Sequence, residues 1–286
     1  MPRNRERLTE KEYWNSKHVN SVHTELENPY REKLKEIFRK IVGEKIFRYM
    51  IENYGEYLFW QICRRYLSPK KRLKILEVGS APGYHLVKFS QMFGYIPYGV
   101  EYSKKGVELN REIFSLCNIN PNNVIYSDFF SNNFLTEYRN YFDIVMSLGF
   151  IEHFSDVKNV IRKHINLLKK GGICLITIPN ITGINYLLAL LFNRRLVRMH
   201  NLEIMKKETL KRLFEDSALR ISYLNYYGTF DFGLFQTENY SLLRYLHEIC
   251  GYLQYILNLV FHILFKEKGL ENKLFSPHLI CIGRKL

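Results

Sequence analysis

Three acids and two histidines carry the chemistry that this sequence offers. Glu77, Glu101 and Asp128 each stand at or near the end of a short apolar run. Glu77 lies within K-I-L-E-V-G-S-A-P-G-Y-H-L, residues 74–86, where a run of strand formers leads into Gly79 and Gly83. An apolar pattern with helical spacing follows (Leu86, Val87, Phe89, Met92, Phe93). Strand, glycine turn and helix make a ligand-binding edge in an open parallel sheet. The turn is no phosphate cradle. It has neither G-x-x-x-x-G-K-[ST] nor G-x-G-x-x-G, and a carboxylate two residues before the first glycine would repel a pyrophosphate. That acid suits a ligand with a cationic end. Glu101, 18 residues after Gly83, is placed to accept both hydroxyls of a ribose. His153, in I-E-H-F after the fourth apolar run, titrates near neutrality and can take a proton from a hydroxyl, and His200 is the second candidate base.

Residues 77–83, E-V-G-S-A-P-G, resemble motif I of class I S-adenosylmethionine (SAM) methyltransferases, D/E-x-G-x-G-x-G, with Ala81 in place of the middle glycine. The resemblance implies SAM as cofactor. Its contacts would fall on Glu77, Gly79, Ser80, Ala81 and Gly83 at the first turn, on Glu101 and Tyr102 at the second strand end, on Asp128 and Phe129 against adenine, and on Ser147 and Leu148 at the fourth strand end. The phrase I-E-H-F is similar to the L-E-H of ubiquinone-biosynthesis O-methyltransferases. Trp14, His23, Leu26, Asn28, Pro29 and Arg31 resemble the same group loosely, as do Asn180, Thr182, Tyr186 and Ala189. That group has a further acid about three residues before the E-H pair, which can assist a metal. Leu148 and Gly149 occupy those positions here, and no metal is expected.

Strands are expected at 74–78, 94–101, 123–130, 141–148 and 173–179, with helices between them, and this rhythm predicts a right-handed parallel sheet. Ser103 reads as one helix N-cap and Ser155 or Asp156 as another, while Lys169-Lys170-Gly171-Gly172 reads as a helix end. Residues 220–230 and 278–285 read as two late strands without a helical crossover, which would pair antiparallel. The expected fold is α/β: a Rossmann-like, mostly parallel seven-stranded sheet with an antiparallel last strand. A helical, aromatic extension over 1–66, read as a lid or as packing on the sheet, precedes a methyltransferase domain over 67–286 with helical inserts at 181–201 and 231–275. Within the second insert, residues 249–265 are almost wholly apolar except for Gln254, Asn258 and His262, one narrow polar stripe on a helix. Packing as a cap is the favoured reading, ahead of contact with a membrane surface or a dimer face.

Composition narrows the partners. The net charge of +14 suits acidic partners, but the cations are scattered. With no appended RNA-binding motif, nucleic acid is not expected. Five dispersed cysteines form no zinc spacing or disulfide framework, and no apolar segment follows the basic N-terminus, so a cytoplasmic protein is expected, with peripheral membrane contact the variant. The expected activity is methyl transfer from SAM to a small-molecule acceptor at a hydroxyl, the two apolar inserts hinting at a lipid-like acceptor. The alternatives are a sugar or natural-product hydroxyl, then RNA, then a SAM-fold protein that binds a partner without catalysis. A homodimer is compatible with the sequence.

Overall fold

The computed structural model describes residues 7–9, 29–70, 72–235 and 242–286. The pattern at Trp14, His23, Leu26 and Asn28 lies outside the described residues. Three helices, α1 (Pro29–Val42), α2 (Glu44–Ile51) and α3 (Tyr54–Tyr66), precede the first strand. Then come β1 (Lys74–Val78), α4 (Tyr84–Phe93), β2 (Ile96–Glu101), α5 (Lys104–Leu116), β3 (Val124–Tyr126), α6 (Asn132–Glu137) and β4 (Phe142–Leu148). The remainder runs α7 (Val157–Leu167), β5 (Leu168–Pro179), α8 (Ile184–Phe192), α9 (Arg194–Met199), α10 (Lys207–Glu215), β6 (Leu219–Tyr227), α11 (Leu242–Leu264) and β7 (His278–Lys285).

The strands form one seven-stranded sheet in the order β3-β2-β1-β4-β5-β7-β6. The first five pair in parallel, and β7 pairs antiparallel with both β5 and β6. The carboxyl ends of β1 to β6 and the start of β7 therefore share one edge, where such sheets bind ligands. The reversal of strand order between β1 and β4 sets the crevice. Strands β1 and β4 are buried on both faces, as a central parallel strand requires. One face packs Phe129, Phe142, Val160, Ile161, Leu210 and Phe214. The other packs Phe59, Trp60, Leu86, Phe89, Val107 and Phe114, so α3 belongs to the core of the sheet. Removing a ring such as Phe89 would cost about 3–5 kcal/mol.

Local signals explain most boundaries. Ser103 accepts the Gly106 N–H and caps α5, and Asp156, not Ser155, accepts the Asn159 N–H and caps α7. The run from Lys169 to Gly172 departs from the expected helix end. It lies inside β5, beside a shift in register between Phe142 and Ile144 on β4, with Gly171 at φ +72°. A glycine-bearing irregularity lengthens that strand instead of closing the helix.

Helix α11 packs with its polar stripe inward. Gln254, Asn258 and His262 are buried, whereas Ile249, Tyr252, Ile256, Ile263 and Leu264 are all more than half exposed. The cause is unsatisfied backbone on its neighbours. Asn258 donates to the Met50 carbonyl at 3.1 Å and accepts the Tyr54 N–H, which serves the end of α2 and the start of α3. Gln254 accepts the Phe232 N–H at 3.0 Å and donates to the Phe230 carbonyl at 3.2 Å. His262 sits among the rings of Tyr49, Tyr54 and Tyr57. Helix α11 does pack as a cap, but polar groups make that packing and its apolar face points out.

Candidate active site

The first turn is built by β1. Glu77 is 5% exposed, and its Oε2 has no hydrogen-bond partner among the described residues. Burial, with the nearby Glu101 charge, lifts its carboxyl to about 7 against the opposing pull of His85. A buried carboxylate in want of a cation is what the ammonium end of SAM would satisfy. Gly83 caps α4 at φ +98°, and a Cβ there would lie 2.2 Å from Asn110 Oδ1, so only glycine fits. Gly79, at φ +72°, would bring a Cβ to 3.2 Å from the Phe150 ring, which lies over the turn. Ser80 is buried and its hydroxyl accepts from Asn110 Nδ2 at 2.6 Å, so what it offers a ligand is backbone. Ala81 meets Gly106 so closely that a Cβ on that glycine would sit 3.0 Å away, which locks the turn onto α5.

The next strand ends carry the other acids. Glu101 is 5% exposed at the end of β2 and accepts the Ser103 N–H at 2.8 Å. Asp128 follows β3 by two residues, and its carboxylate accepts the Phe130 N–H at 2.9 Å. Phe129 turns away from it into the core, at 4% exposed, against Phe134, Phe150 and His164. Phe130, next in the chain, is only partly buried, because β3 stops at Tyr126 and the chain turns there. Ser147 is fully buried in β4 with no partner for its hydroxyl among the described residues, and Leu148 beside it is half-buried.

Arg7 reaches this end of the edge. Its guanidinium meets both Asp128 oxygens and lies over the rings of Tyr102 and Phe130. Leu8 N–H donates to the His153 carbonyl at 2.8 Å.

The two candidate bases meet in space. Asn201 donates its N–H to the Glu152 carbonyl at 2.7 Å and its Nδ2 to the Phe154 carbonyl at 3.2 Å, stitching the loop after α9 onto the loop after β4. The His153 and His200 rings are 4.6 Å apart. His153 Nδ1 lies 3.1 Å from the Met199 carbonyl, and its Nε2 is 3.8 Å from a Glu152 oxygen. One ligand atom from each of Glu152, His153 and His200 falls within 4.8 Å of the others, an arrangement that could hold a divalent cation. No spacing in the sequence announced it, since His200 arrives by loop docking.

Beyond the first turn lies a cavity of about 360 Å³ lined by Asn53, Gly55, Glu56, Phe59, Tyr227, Asp231 and His278. Glu56 receives hydrogen bonds from Trp60 Nε1 and, at 3.3 Å, from His85 on the first turn of α4. No local spacing in the sequence marks this group. Its residues come from three separate stretches, and only the antiparallel return of β7 brings His278 to the ligand edge.

This edge has the acid-bearing strand ends and glycine turn of a nucleoside site, and the sequence matches a methyltransferase-domain family over residues 45–223. The chain belongs to that family. It is a methyltransferase, and SAM is its cofactor. The fold is shared with geranyl diphosphate C-methyltransferase from Streptomyces coelicolor A3(2), at a TM-score of 0.53 and 12% identity over 81% of this chain and 79% of that one. It is shared with phosphoethanolamine N-methyltransferase 2 of Haemonchus contortus, at 0.52 and 18%, over 81% of this chain and 56% of that one. The [4+2]-cyclase SpnF also aligns, at 0.53 and 14%, over 81% and 80%. No curated protein matches the sequence. At these identities the likeness is one of fold, and what this methyltransferase acts on must come from its own residues.

Proposed function

We propose that this methyltransferase moves the SAM methyl group to a hydroxyl of a small amphiphilic acceptor taken up at a membrane surface. The observation that carries this is the outward apolar face of α11. Ile249, Tyr252, Ile256, Ile263 and Leu264 are exposed, as are Leu187 and Leu191 on α8, a helix that packs against α11. A contiguous exposed apolar face marks an interaction surface. Exposed Arg194, Arg195 and Arg198 lie on α9, which packs against α8, and exposed Lys266, Lys268 and Lys273 follow α11, with Glu248 and Glu267 among the exposed acids of the same stretch. An apolar face with basic neighbours suits an anionic lipid surface. No helix among the described residues is long and apolar enough to cross a membrane, which fits a helix lying on it.

SAM supplies a methyl group already made electrophilic by its sulfonium. What the chain's residues do is hold and orient it, through Glu77, Glu101 and Asp128, and receive a proton. His153, with His200 beside it, is the proposed proton acceptor for a hydroxyl. The two neighbouring methyltransferases methylate nitrogen and carbon by name, so oxygen is chosen on this histidine pair. The test is transfer of tritiated methyl from SAM into a cell extract, then partition. Label in a low-mass, solvent-extractable fraction supports the proposal, and label in RNA or protein overturns it.

A further inference from the structure

The cavity beside the first turn differs in charge from the rest of the molecule. The chain carries a net charge of +14, yet the cavity's lining includes two carboxylates, Glu56 and Asp231, and no lysine or arginine. Burial alone would raise the Glu56 carboxyl, but the His85 and Trp60 hydrogen bonds and the Lys88 charge bring it down to about 2, so it stays ionised. Asp231 is held by Asn53 Nδ2 at 2.8 Å and by the Gly233 N–H at 2.7 Å. Burial drives His278 toward its neutral form, although Asp231 and Glu56 pull the other way. A neutral imidazole keeps a lone pair to accept a hydrogen bond. Its ring stacks on Tyr227 at 5.1 Å, and Phe59 supplies a second aromatic wall.

Close backbone packing frames the cavity. A Cβ on Gly55 would meet the Gly228 backbone at 3.3 Å, which fixes the start of α3 against the end of β6. Glu56 touches His85, two residues beyond the glycine that caps α4, so the cavity lies beside the helix that follows the proposed donor turn. Gln254 of α11 bonds both residues that flank Asp231, so the helix with the exposed apolar face also holds the cavity's wall.

Resting on the methyltransferase reading, we infer that this cavity binds the polar head of the acceptor and that the head carries a cationic amine. Carboxylates, aromatic faces and a lone-pair acceptor lining one open cavity recognise an ammonium group and disfavour an anionic head. An amphiphile would place its amine here and leave its tail toward α11.

The experiment is calorimetric titration of the full chain, with S-adenosylhomocysteine present, using ethanolamine, glycerol and inorganic phosphate as cationic, neutral and anionic probes. Ethanolamine is expected to bind at least tenfold more tightly than glycerol, with phosphate not binding. Asp231→Asn keeps the Oδ1 that caps Gly233, and it is expected to weaken ethanolamine at least tenfold while S-adenosylhomocysteine affinity is unchanged. Should that variant fail to fold, Glu56→Gln takes its place with the same expectation. Glycerol or phosphate binding as tightly as ethanolamine, no binding of any probe, or an unaltered affinity in the variant overturns the inference. Loss of S-adenosylhomocysteine binding by the parent chain would instead count against the donor site, so the two failures are distinct.

Discussion

Arg7 grips Asp128 through both carboxylate oxygens, at 2.7 and 2.6 Å, with its guanidinium 5.4 Å from the centre of the Tyr102 ring and 5.0 Å from that of Phe130. A flat cation thus lies between two rings, on the acid assigned to the adenine amino group. On that assignment, adenine would compete with the guanidinium for Asp128. An ion pair with this much solvent access is worth about 0–1 kcal/mol. Arg7→Ala is therefore expected to tighten SAM binding about two- to fivefold by calorimetry. Unchanged or weaker binding would mean that Arg7 does not compete with the donor.

Glu77 makes donor binding depend on pH. Its carboxyl is lifted to about 7 in the folded chain, so near pH 6 it is mostly protonated and must ionise to meet a cation. SAM binding at pH 6 should release close to one proton, and affinity should fall about tenfold from pH 8 to pH 6. Titrations in two buffers of different ionisation enthalpy read the proton directly. The sign for stability runs the other way. Between the ordinary carboxylate range and pH 7 the folded state holds the extra proton, so this group's contribution to unliganded stability declines as pH rises through that window. Proton-neutral SAM binding would show that Glu77 does not face the ammonium end.

His153→Ala should lower turnover of the labelled acceptor by about a hundredfold or more, the usual worth of a positioned base, with SAM affinity unaltered. Turnover equal to that of the parent chain would remove His153 from the chemistry.

Helix α11 allows its two faces to be separated. Ile249, Tyr252 and Ile256 are 63%, 67% and 53% exposed, so changing all three to aspartate should abolish flotation with anionic liposomes while each moves stability by only about 0.5 kcal/mol. Asn258→Leu should do the reverse. It strands the Met50 carbonyl and the Tyr54 N–H, costing about 1–3 kcal/mol in a denaturant melt, without touching the outer face. Flotation that survives the triple change would detach the membrane from this account.

The sheet was legible because strand ends announce themselves. Ile75, Leu76 and Val78 demand a buried strand, and Glu77 among them is costly unless a cation is expected. What stayed hidden depended on chain returning from afar. The stripe of Gln254, Asn258 and His262 was visible as a stripe, but amphipathic pattern does not say which face is inside when neighbouring backbone needs partners. Phe129 and Phe130 are adjacent and chemically equal, so only the early end of β3 decides which one enters the core. His200 beside His153, Arg7 on Asp128 and His278 beside Tyr227 are all long-range meetings that no local spacing encodes.

The central claim is that Glu77, Glu101 and Asp128 together hold SAM. Calorimetric titration of SAM into the parent chain and into Glu101→Ala tests it most directly. Glu101 is buried at the end of β2, where its carboxylate would take the ribose hydroxyls. The account expects binding below the millimolar range in the parent and its loss in the variant, with the variant's fold intact by circular dichroism. No binding by the parent chain, or equal affinity in a folded Glu101→Ala, would contradict it.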